Sequence, residues 1–355
     1  MRVRQLLNAL QDERLVQTSS LSDLENLRVG IDATYWLRTI QMLKDPFADA
    51  IGGAPPCMYE TIDRELLQLT RAKIHPVFVF EGMAPHFHHQ NFQQQVGSQQ
   101  LDAAWTSLAN GRLYDAQKAF AAATSRTNGD MLECVFHHLK STGYEVFRAP
   151  YFSGAQLAHF QDSKMLHCAF GPPGLLLYGV QKIIIQFDFH GDAFEWVELG
   201  SVLGHWKNLP REKFIDACLL AGTEYCLTYP YLNLEPFSQR ESNFQFGVAV
   251  ELITQYSLVN WMQTIQPKHL ENKYIEDCGT CKVLVQHSPI FDTGHMAVRP
   301  MSATRPKKER EASGCPSDLA RIMGTRLPQK VYTLVCSGVL SPWLPLCLAT
   351  GEWCD

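Results

Sequence analysis

Short, continuously apolar runs alternate along this chain with longer stretches in which apolar residues recur every three or four positions. Leu27–Asp32 and His75–Phe80 are runs of the first kind, and this pattern predicts two buried strands. Met58–Ala72 lies between them and has the spacing of an amphipathic helix. Buried strands that alternate with such helices are typical of an α/β fold with a mostly parallel central sheet and helices on both faces.

The same pattern extends to the rest of the chain. Further β-rich runs are predicted at residues 144–147, 166–170, 175–178 and 182–189. Further helices are predicted at residues 2–16, 33–43, 101–123, 131–141, 153–161, 210–221 and 244–262. Residues 300–316 combine prolines with charged residues and are expected to form a flexible linker.

Composition narrows the class of protein. The chain has 355 residues, of which 46% are hydrophobic and 19% charged, which suits a well-buried globular core. The net charge of -5 argues against a general affinity for nucleic acid, although a local basic patch stays compatible with it. We find neither a secretion signal nor an apolar run of the ~20 residues that a membrane span needs. The 11 scattered cysteines indicate reduced thiols, so a cytoplasmic protein without a membrane partner is expected.

Acidic side chains follow the first two predicted strands. Asp32 ends the first strand and Glu81 follows the second. Because the carboxyl ends of parallel strands share one edge of a sheet, such carboxylates can hold the magnesium ions of a phosphodiesterase. Asp32 could instead cap the helix that follows it. Asp188 and Asp192 lie near another strand end, where an ordinary turn is expected rather than a replacement ligand.

A run of histidines and a pair of cysteines are two other candidate metal sites. His86, His88 and His89 form a run that suits either a metal cluster or, more commonly, a solvated loop. Cys278-Gly279-Thr280-Cys281 has the spacing of half a zinc site. No second Cys or His pair of matching spacing follows in the sequence, so a simple turn is expected there.

Five segments in this order resemble motifs of the XPG/flap-endonuclease superfamily. They are Gly30–Ala33, Pro76–Gly82, Ala149–Gln156, Gly171–Gly179 and Phe214–Tyr225. The resemblance covers about residues 1–260 and implies a PIN-like, XPG-type nuclease core with a helical C-terminal extension. In active members these motifs supply the carboxylates that hold the metal ions.

The chain departs from the superfamily at those carboxylates. Four acidic positions of active members are replaced here, by Phe152, Gly154, Pro172 and Gly174. Asp32 is retained, whereas Glu81 and Glu224 stand where active members have aspartates. We therefore expect no catalytic residue and no cofactor, with these three acids as vestigial cleft carboxylates. The alternative is one weakly held magnesium in a divergent flap-type endonuclease of DNA repair.

Two further departures concern the grip on nucleic acid. Residues 227–232 lack the glycines with which active members track duplex phosphates, and no Lys or Arg occurs between Lys73 and Arg112. The chain therefore lacks a phosphate clamp in this arm. We expect the arm, or the segment after Arg326, to bind a protein partner, against the alternative of a disordered insertion. A sequence-independent RNA-binding role is disfavoured by the same features.

The sequence is similar to a non-catalytic branch of the superfamily, the fungal maintenance-of-killer-toxin regulators. The similarity rests on Asp49–Gly53, Phe170–Pro172 and Arg326–Pro328. It implies a cytoplasmic post-transcriptional regulator that affects translation or stability of messenger RNA. It also implies an ataxin-2-like partner that associates with the poly(A)-binding protein, so that contact with messenger RNA is indirect.

The resemblance also divides the chain into six parts. Residues 1–82 are assigned to an XPG N-terminal-like region, 83–128 to an inserted arm and 129–225 to an XPG internal-like region. Residues 226–299 are assigned to a helical extension and 300–316 to a linker. Residues 317–355 are assigned to the start of a further domain, which is expected to be truncated.

Overall fold

A seven-stranded sheet and a two-stranded hairpin organise the protein. The computed structural model describes residues 1–40, 47, 57–85, 92–123, 129–232, 244–266, 268–305, 319–324 and 326–345. The strands are β1 Gln17–Ser20, β2 Arg28–Asp32, β3 His75–Phe80, β4 Glu145–Arg148, β5 Cys168–Phe170, β6 Lys182–Asp188, β7 Ala193–Glu198, β8 Pro289–Asp292 and β9 Ala297–Pro300.

Helices connect and cover these strands. They are α1 Leu6–Asp12, α2 Ala33–Thr39, α3 Met58–Arg71, α4 Phe92–Ala109, α5 Leu113–Ala123, α6 Gly129–Ser141, α7 Ser153–Asp162, α8 Leu175–Tyr178, α9 Leu199–His205, α10 Arg211–Ala221, α11 Phe246–Gln255, α12 Leu258–Met262, α13 Lys268–His287, α14 Leu319–Met323 and α15 Gln329–Cys336. Within the described ranges, no helix is long and apolar enough to cross a membrane.

The large sheet is mostly parallel, as the sequence predicts. Its strand order is β1-β7-β6-β5-β2-β3-β4. The five strands from β6 to β4 in that order run parallel, and β7 and β1 are added antiparallel at one edge. The predicted α/β class and its parallel sheet are therefore confirmed. The carboxyl ends of β2 and β3 lie side by side, because Asp32 pairs in register with Val79.

Helices pack on both faces of this sheet because its central strands are apolar on both sides. In β3, Val77 and Val79 join the hydrophobic core on one face, whereas Phe78 and Phe80 join the core on the other. Side chains alternate along a strand, so a continuous apolar run is what a doubly covered parallel strand requires. This explains why the sequence identified β2 and β3 well.

The predicted β-run at residues 175–178 is wrong. Leu175–Tyr178 forms the single helical turn α8, in which all four residues are buried. The Leu175 amide donates to the Pro172 carbonyl at 3.0 Å, and Gly179 ends the turn with φ of 95°. An apolar run buried on every side has no periodicity that separates a short helix from a strand.

The arm contains two helices where one was predicted. Helices α4 and α5 form a hairpin around a small core made by Ala104, Ala116 and Phe120. The chain reverses at Gly111, whose φ of +74° is readily adopted by glycine. The arm thus has a hydrophobic centre of its own, separate from the two cores of the sheet.

Four other features differ from the predictions. Strands β1 and β7 were not predicted, and the hairpin of β8 and β9 lies within residues 226–299, which were expected to be helical. The simple turn expected at Cys278–Cys281 is wrong, because both cysteines lie inside α13. Their spacing of three residues places them on one buried face of that helix.

The C-terminal helices pack back onto the sheet domain. Helix α15 contacts β4 and β9, and the Tyr332 ring lies 6.5 Å from the Tyr151 ring. Gln329 exchanges two hydrogen bonds with the backbone of Val298, at 2.8 and 3.1 Å. The flexible linker expected at residues 300–316 is wrong where the structure describes it, because Met301–Thr304 forms a 3₁₀ turn in which Met301 and Ser302 are buried. Residues 306–318 lie outside the described residues.

Candidate functional site

Asp32 lies at the carboxyl end of β2 and is almost fully buried, with 5% of its surface exposed. Its Oδ1 accepts a hydrogen bond from the Tyr35 amide at 2.9 Å, which caps α2. Its Oδ2 accepts from the Ser153 hydroxyl at 3.1 Å. The predicted helix-capping role is therefore confirmed. Burial raises the pKa of Asp32, and the Tyr35 hydrogen bond opposes that shift.

Glu81 follows β3 and shares Ser153 with Asp32. Its two carboxylate oxygens accept from the Ser153 amide at 2.8 Å and from the Ser153 hydroxyl at 3.0 Å. Burial, followed by the charge of Asp32, raises the pKa of Glu81 to about 7. A hydroxyl has one proton to donate, so two ionised carboxylates cannot both be fully satisfied by it. A proton shared within this group fits the raised pKa values.

Glu224 reaches the same region from the turn after α10. Its carboxylate lies 3.8 Å from the Met1 ammonium and is 37% exposed. The buried Tyr178 hydroxyl experiences all three acids, because burial and then the charges of Glu81, Glu224 and Asp32 raise its pKa. All three predicted carboxylates therefore lie near enough to Tyr178 to act on its hydroxyl.

Gly154 and Gly174, which were expected to replace acids of active nucleases, have no room for a side chain. A Cβ placed on Gly154 would lie 2.8 Å from the Tyr178 ring and 2.9 Å from Leu175 Cδ2. A Cβ on Gly174 would lie 1.7 Å from the Met1 carbonyl oxygen. At both positions the volume that a carboxylate would occupy is filled by neighbouring groups of this chain.

Aromatic packing closes the cleft further. Phe152 is 7% exposed, and its ring centroid lies 5.9 Å from Tyr225 and 6.5 Å from Tyr178. The Pro172 carbonyl accepts a hydrogen bond from the first residue of α8, so this segment forms part of a packed helical turn. These contacts give the site the character of a hydrophobic core that encloses two carboxyl groups.

This donor set does not fit a pair of divalent cations. Magnesium prefers near-octahedral oxygen coordination, and two-metal sites need several carboxylates that converge on both ions. In the part of the chain that the structure describes, no group of three or more His, Cys, Asp or Glu side chains is arranged to hold a metal ion. Asp32 and Glu81 are engaged by Ser153, while Glu224 pairs with an ammonium group.

A cluster of thiols behind the Glu224 turn was missed by the sequence analysis. Cys226 is in hydrogen-bonding contact with Cys278 and Cys281, and these contacts lower its pKa well below the ordinary value. The Thr223 hydroxyl lies 3.3 Å from the sulfur of Cys226 and 3.7 Å from that of Cys281. Only the Cys278–Cys281 spacing was visible in the sequence, because Cys226 is brought there by the tertiary fold.

Asp188 and Asp192 belong to the turn between β6 and β7. Asp188 accepts from the amides of His190 at 3.2 Å and Gly191 at 2.9 Å, and Asp192 has φ of 52°. The ordinary turn expected at these two aspartates is thereby confirmed. The histidine run at 86, 88 and 89 lies outside the described residues, as does the motif at 49–53.

A mostly parallel sheet with Asp32 and Glu81 at its carboxyl edge is the architecture that the sequence led us to expect. Residues 1–101 match the XPG N-terminal domain family. The fold is similar to the catalytic core of Rad2 in complex with a DNA substrate, with a TM-score of 0.51 at 17% identity over 78% of this chain and 80% of that one. Flap endonuclease-1 from Methanococcus jannaschii gives the same TM-score and identity over 94% and 97% of the two chains.

Sequence similarity extends to regulators of the predicted branch. The chain is 27% identical to the post-transcriptional regulator MKT1 of Cryptococcus neoformans, over 99% of this chain and 46% of that protein. It is 24% identical to the Schizosaccharomyces pombe regulator mkt1, over 100% of this chain and 49% of the relative. Flap endonuclease 1 of Pyrococcus horikoshii is 27% identical over 57% of this chain and 65% of its own length.

These similarities confirm the resemblance to the superfamily and to its regulator branch. The chain spans about half the length of the regulators that it matches.

Proposed function

We propose that this protein is a nuclease-fold scaffold without phosphodiesterase activity. In this proposal it acts in the cytoplasm as a post-transcriptional regulator, and it affects translation or stability of messenger RNA through protein partners. One observation is the main support for the proposed loss of catalysis. The positions where active nucleases place acids are filled at Gly154 by Tyr178 and Leu175, and at Gly174 by the Met1 backbone.

The surviving acids support the same conclusion. Glu81 has a pKa of about 7, so near neutral pH it is only partly ionised and is a weak ligand for a hard cation. Asp32 is occupied by the α2 cap and by Ser153. We therefore propose that the protein works without a metal cofactor, and that these carboxyl groups serve as structural acceptors.

The arm supports a role in protein binding. Residues 83–111 contain no Lys or Arg, which disfavours contact with phosphates. The hairpin nevertheless exposes large apolar side chains, with Trp105, Leu113 and Tyr114 exposed by 39%, 64% and 78%. Interface cores are rich in aromatics and poor in charge. We assign this surface to a partner of the ataxin-2-like kind, with messenger RNA reached indirectly.

A magnesium-dependent flap endonuclease is the second candidate. It is favoured by the similarity to the Pyrococcus horikoshii flap endonuclease 1 and by the proximity of Asp32 and Glu81, which share Ser153. This alternative requires Tyr178 and the Met1 backbone to move and admit a cation.

A cleavage assay separates the two candidates. The full chain is incubated with flap DNA, duplex DNA and single-stranded RNA in magnesium or manganese. We expect no cleavage above that of the Asp32→Asn variant, in which an amide oxygen can still cap α2. Cleavage by the wild-type protein that is lost in this variant would establish the endonuclease instead.

A co-precipitation from nuclease-treated extract tests the partner surface. Leu113→Ser with Tyr114→Ser is expected to reduce partner recovery about tenfold or more, since interface aromatics carry much of the binding energy. Tyr256→Ser, at a similarly exposed tyrosine outside the arm, is the matched control. Deletions of 83–125 and of 326–355, with folding checked by circular dichroism, locate the contact. Unchanged recovery in every variant would place it elsewhere.

A further inference from the structure

The thiol cluster brings together three cysteines from two distant segments. Cys226 lies in the Glu224 turn, residues 222–228, and its sulfur is in hydrogen-bonding contact with those of Cys278 and Cys281 on α13. All three are free thiols, and each residue exposes 4% or less of its surface. Cys226 and Cys278 are 52 positions apart in the sequence, so the tertiary fold makes this contact.

The Thr223 hydroxyl organises the cluster from the side of the turn. Its oxygen accepts from the amides of Tyr225 at 3.1 Å and Cys226 at 3.2 Å, which leaves its own proton to donate. The same oxygen lies 3.3 Å from the Cys226 sulfur and 3.7 Å from the Cys281 sulfur. The Thr223 amide in turn donates to the Cys226 carbonyl at 2.9 Å. The backbone of the turn thereby holds the Cys226 sulfur against α13.

The three thiols are chemically unequal. Hydrogen bonds from Cys278 and then Cys281 lower the pKa of Cys226 well below its usual value, although burial opposes them. The pKa of Cys278 is raised well above its usual value by the contact with Cys226 and then by burial, and that of Cys281 by burial and then by the same contact. The Arg4 guanidinium favours a thiolate at Cys226, whereas the Asp277 carboxylate opposes it.

This inequality suits thiol oxidation. The thiolate is the reactive form of cysteine, and its first oxidation product is converted to a disulfide by a thiol that lies in contact with it. Cys226 supplies the thiolate, and the two cysteines of α13 supply neighbouring thiols.

The surroundings of Cys226 differ from those of a cysteine that only fills space in a core. Cys168 in β5 is of the latter kind, and burial raises its pKa to about 12. Cys226 instead belongs to a turn that reaches the surface, because Glu224 is exposed and both Tyr225 and Leu227 are half-buried. A local opening of this turn is enough to admit a small oxidant to the sulfur.

We propose that Cys226 is an oxidation site that forms a disulfide with a cysteine of α13, and that hydrogen peroxide is the oxidant. The Cys226 thiolate attacks one peroxide oxygen, so that an S–O bond forms and the O–O bond breaks. The second oxygen leaves as hydroxide and takes up a proton to become water. The product at Cys226 is a sulfenic acid.

A thiol of α13 completes the reaction. The sulfur of Cys278 or Cys281 attacks the sulfenic sulfur, the S–S bond forms, the S–O bond breaks, and the hydroxyl leaves with the thiol proton as water. In sum, two thiols lose two electrons and two protons, and one peroxide is reduced to two water molecules. The disulfide ties the Glu224 turn to α13, which also contacts α8, α10 and α14. The site depends neither on a metal nor on the proposed scaffold function.

Peptide mapping of the full chain tests this site. The protein is treated with hydrogen peroxide in native buffer, its remaining thiols are alkylated, and it is digested with trypsin without a reductant. We expect a disulfide-linked pair of peptides, residues 214–240 with residues 274–282, that separates on reduction with dithiothreitol. Because the first peptide contains both Cys218 and Cys226, fragmentation must place the bond at Cys226, and it also identifies the partner on α13.

Serine variants separate this cluster from general thiol oxidation. Cys226→Ser should abolish the link, as should Cys278→Ser with Cys281→Ser. Cys134→Ser, at a half-buried cysteine outside the cluster, is the control and should leave the link unchanged. The mapping of the wild-type protein decides the matter even if a variant fails to fold. The proposal is overturned if that protein forms no such link, if the bond is at Cys218 or joins the two α13 cysteines to each other, or if the link forms only in urea.

Discussion

The cleft and the arm use similar apolar residues in opposite ways. In the cleft, Phe152 and Tyr178 are almost completely buried and surround two carboxyl groups that interact through Ser153. In the arm, the small core centred on Phe120 leaves Leu113 and Tyr114 largely exposed. The carboxyl edge of the sheet is thus closely packed, while the hairpin of the arm presents an open apolar surface. Function depends on such sites rather than on the fold that carries them.

The largest effect is expected at Gly82, which joins the cleft to the core. A Cβ there would lie 1.9 Å from the Ala149 carbonyl oxygen and 2.5 Å from that of Pro150. Because backbone must move, Gly82→Ala should lower the free energy of unfolding by about 3 kcal/mol or more, as measured by urea denaturation. Gly279→Ala is the control, since open space surrounds that helical glycine, and it should raise stability by about 0.5–1 kcal/mol. Equal stability of Gly82→Ala and the wild-type protein would show that the cleft is not tightly packed.

A smaller effect is expected from the protonation of Glu81. Its pKa rises from 4.5 to about 7 on folding, so between these values the folded state binds more protons than the unfolded state. Stability contributed by this group is fully present below pH 4.5 and is lost as the pH rises through 7, by about 3 kcal/mol.

Denaturant unfolding between pH 5 and pH 8 measures this dependence. Glu81→Gln should flatten it, because glutamine does not titrate and can still accept from the Ser153 amide. A variant whose stability falls with pH as steeply as that of the wild-type protein would assign the dependence to another group.

Tyr178 gives a weaker test of the same packing. Its hydroxyl is buried and has no hydrogen-bond partner among the described residues. Tyr178→Phe removes this cost and keeps the ring that fills the space beside Gly154, so the melting temperature should rise, with about 1 kcal/mol of added stability. A decrease would indicate that the hydroxyl binds a group in the cleft, such as an ordered water molecule.

The smallest effect on global unfolding is expected in the arm. Phe120→Ala should empty the hairpin core and speed hydrogen exchange across α4 and α5, yet change the global free energy of unfolding by less than about 1 kcal/mol. The exposed Leu113→Ala is the control and should leave exchange unchanged. A large loss of global stability in Phe120→Ala would mean that arm and sheet unfold as one unit.

The sequence predicted the elements whose buried residues follow a regular pattern along the chain. Strands such as β3, apolar on both faces, and helices with one apolar face were identified correctly. Strand β1, Gln17–Ser20, was missed because its polar residues pair only at the sheet edge. Helix α8 was mistaken for a strand because all of its residues are buried.

The candidate site shows the same division. The positions of Asp32 and Glu81 followed from the strand ends, and Glu224 followed from a motif. That Ser153 joins two of these acids, or that Tyr178 fills the space beside Gly154, could not be predicted from local pattern. Such contacts join segments more than 20 residues apart, and only the folded chain defines them. The contact of Cys226 with the α13 cysteines could not be predicted for the same reason.

Helix α15 lies against the last strand of the large sheet. Strand β4 is the last strand of the order, and strands in that position can recruit a strand from another molecule. Helix α15 packs against β4, and the Lys140 ammonium donates to the Ser337 carbonyl at 2.8 Å just beyond it. A fragment cut before residue 319 would lack the helix that packs against this last strand. Self-association and aggregation, rather than loss of the central fold, are the expected hazards of such a fragment.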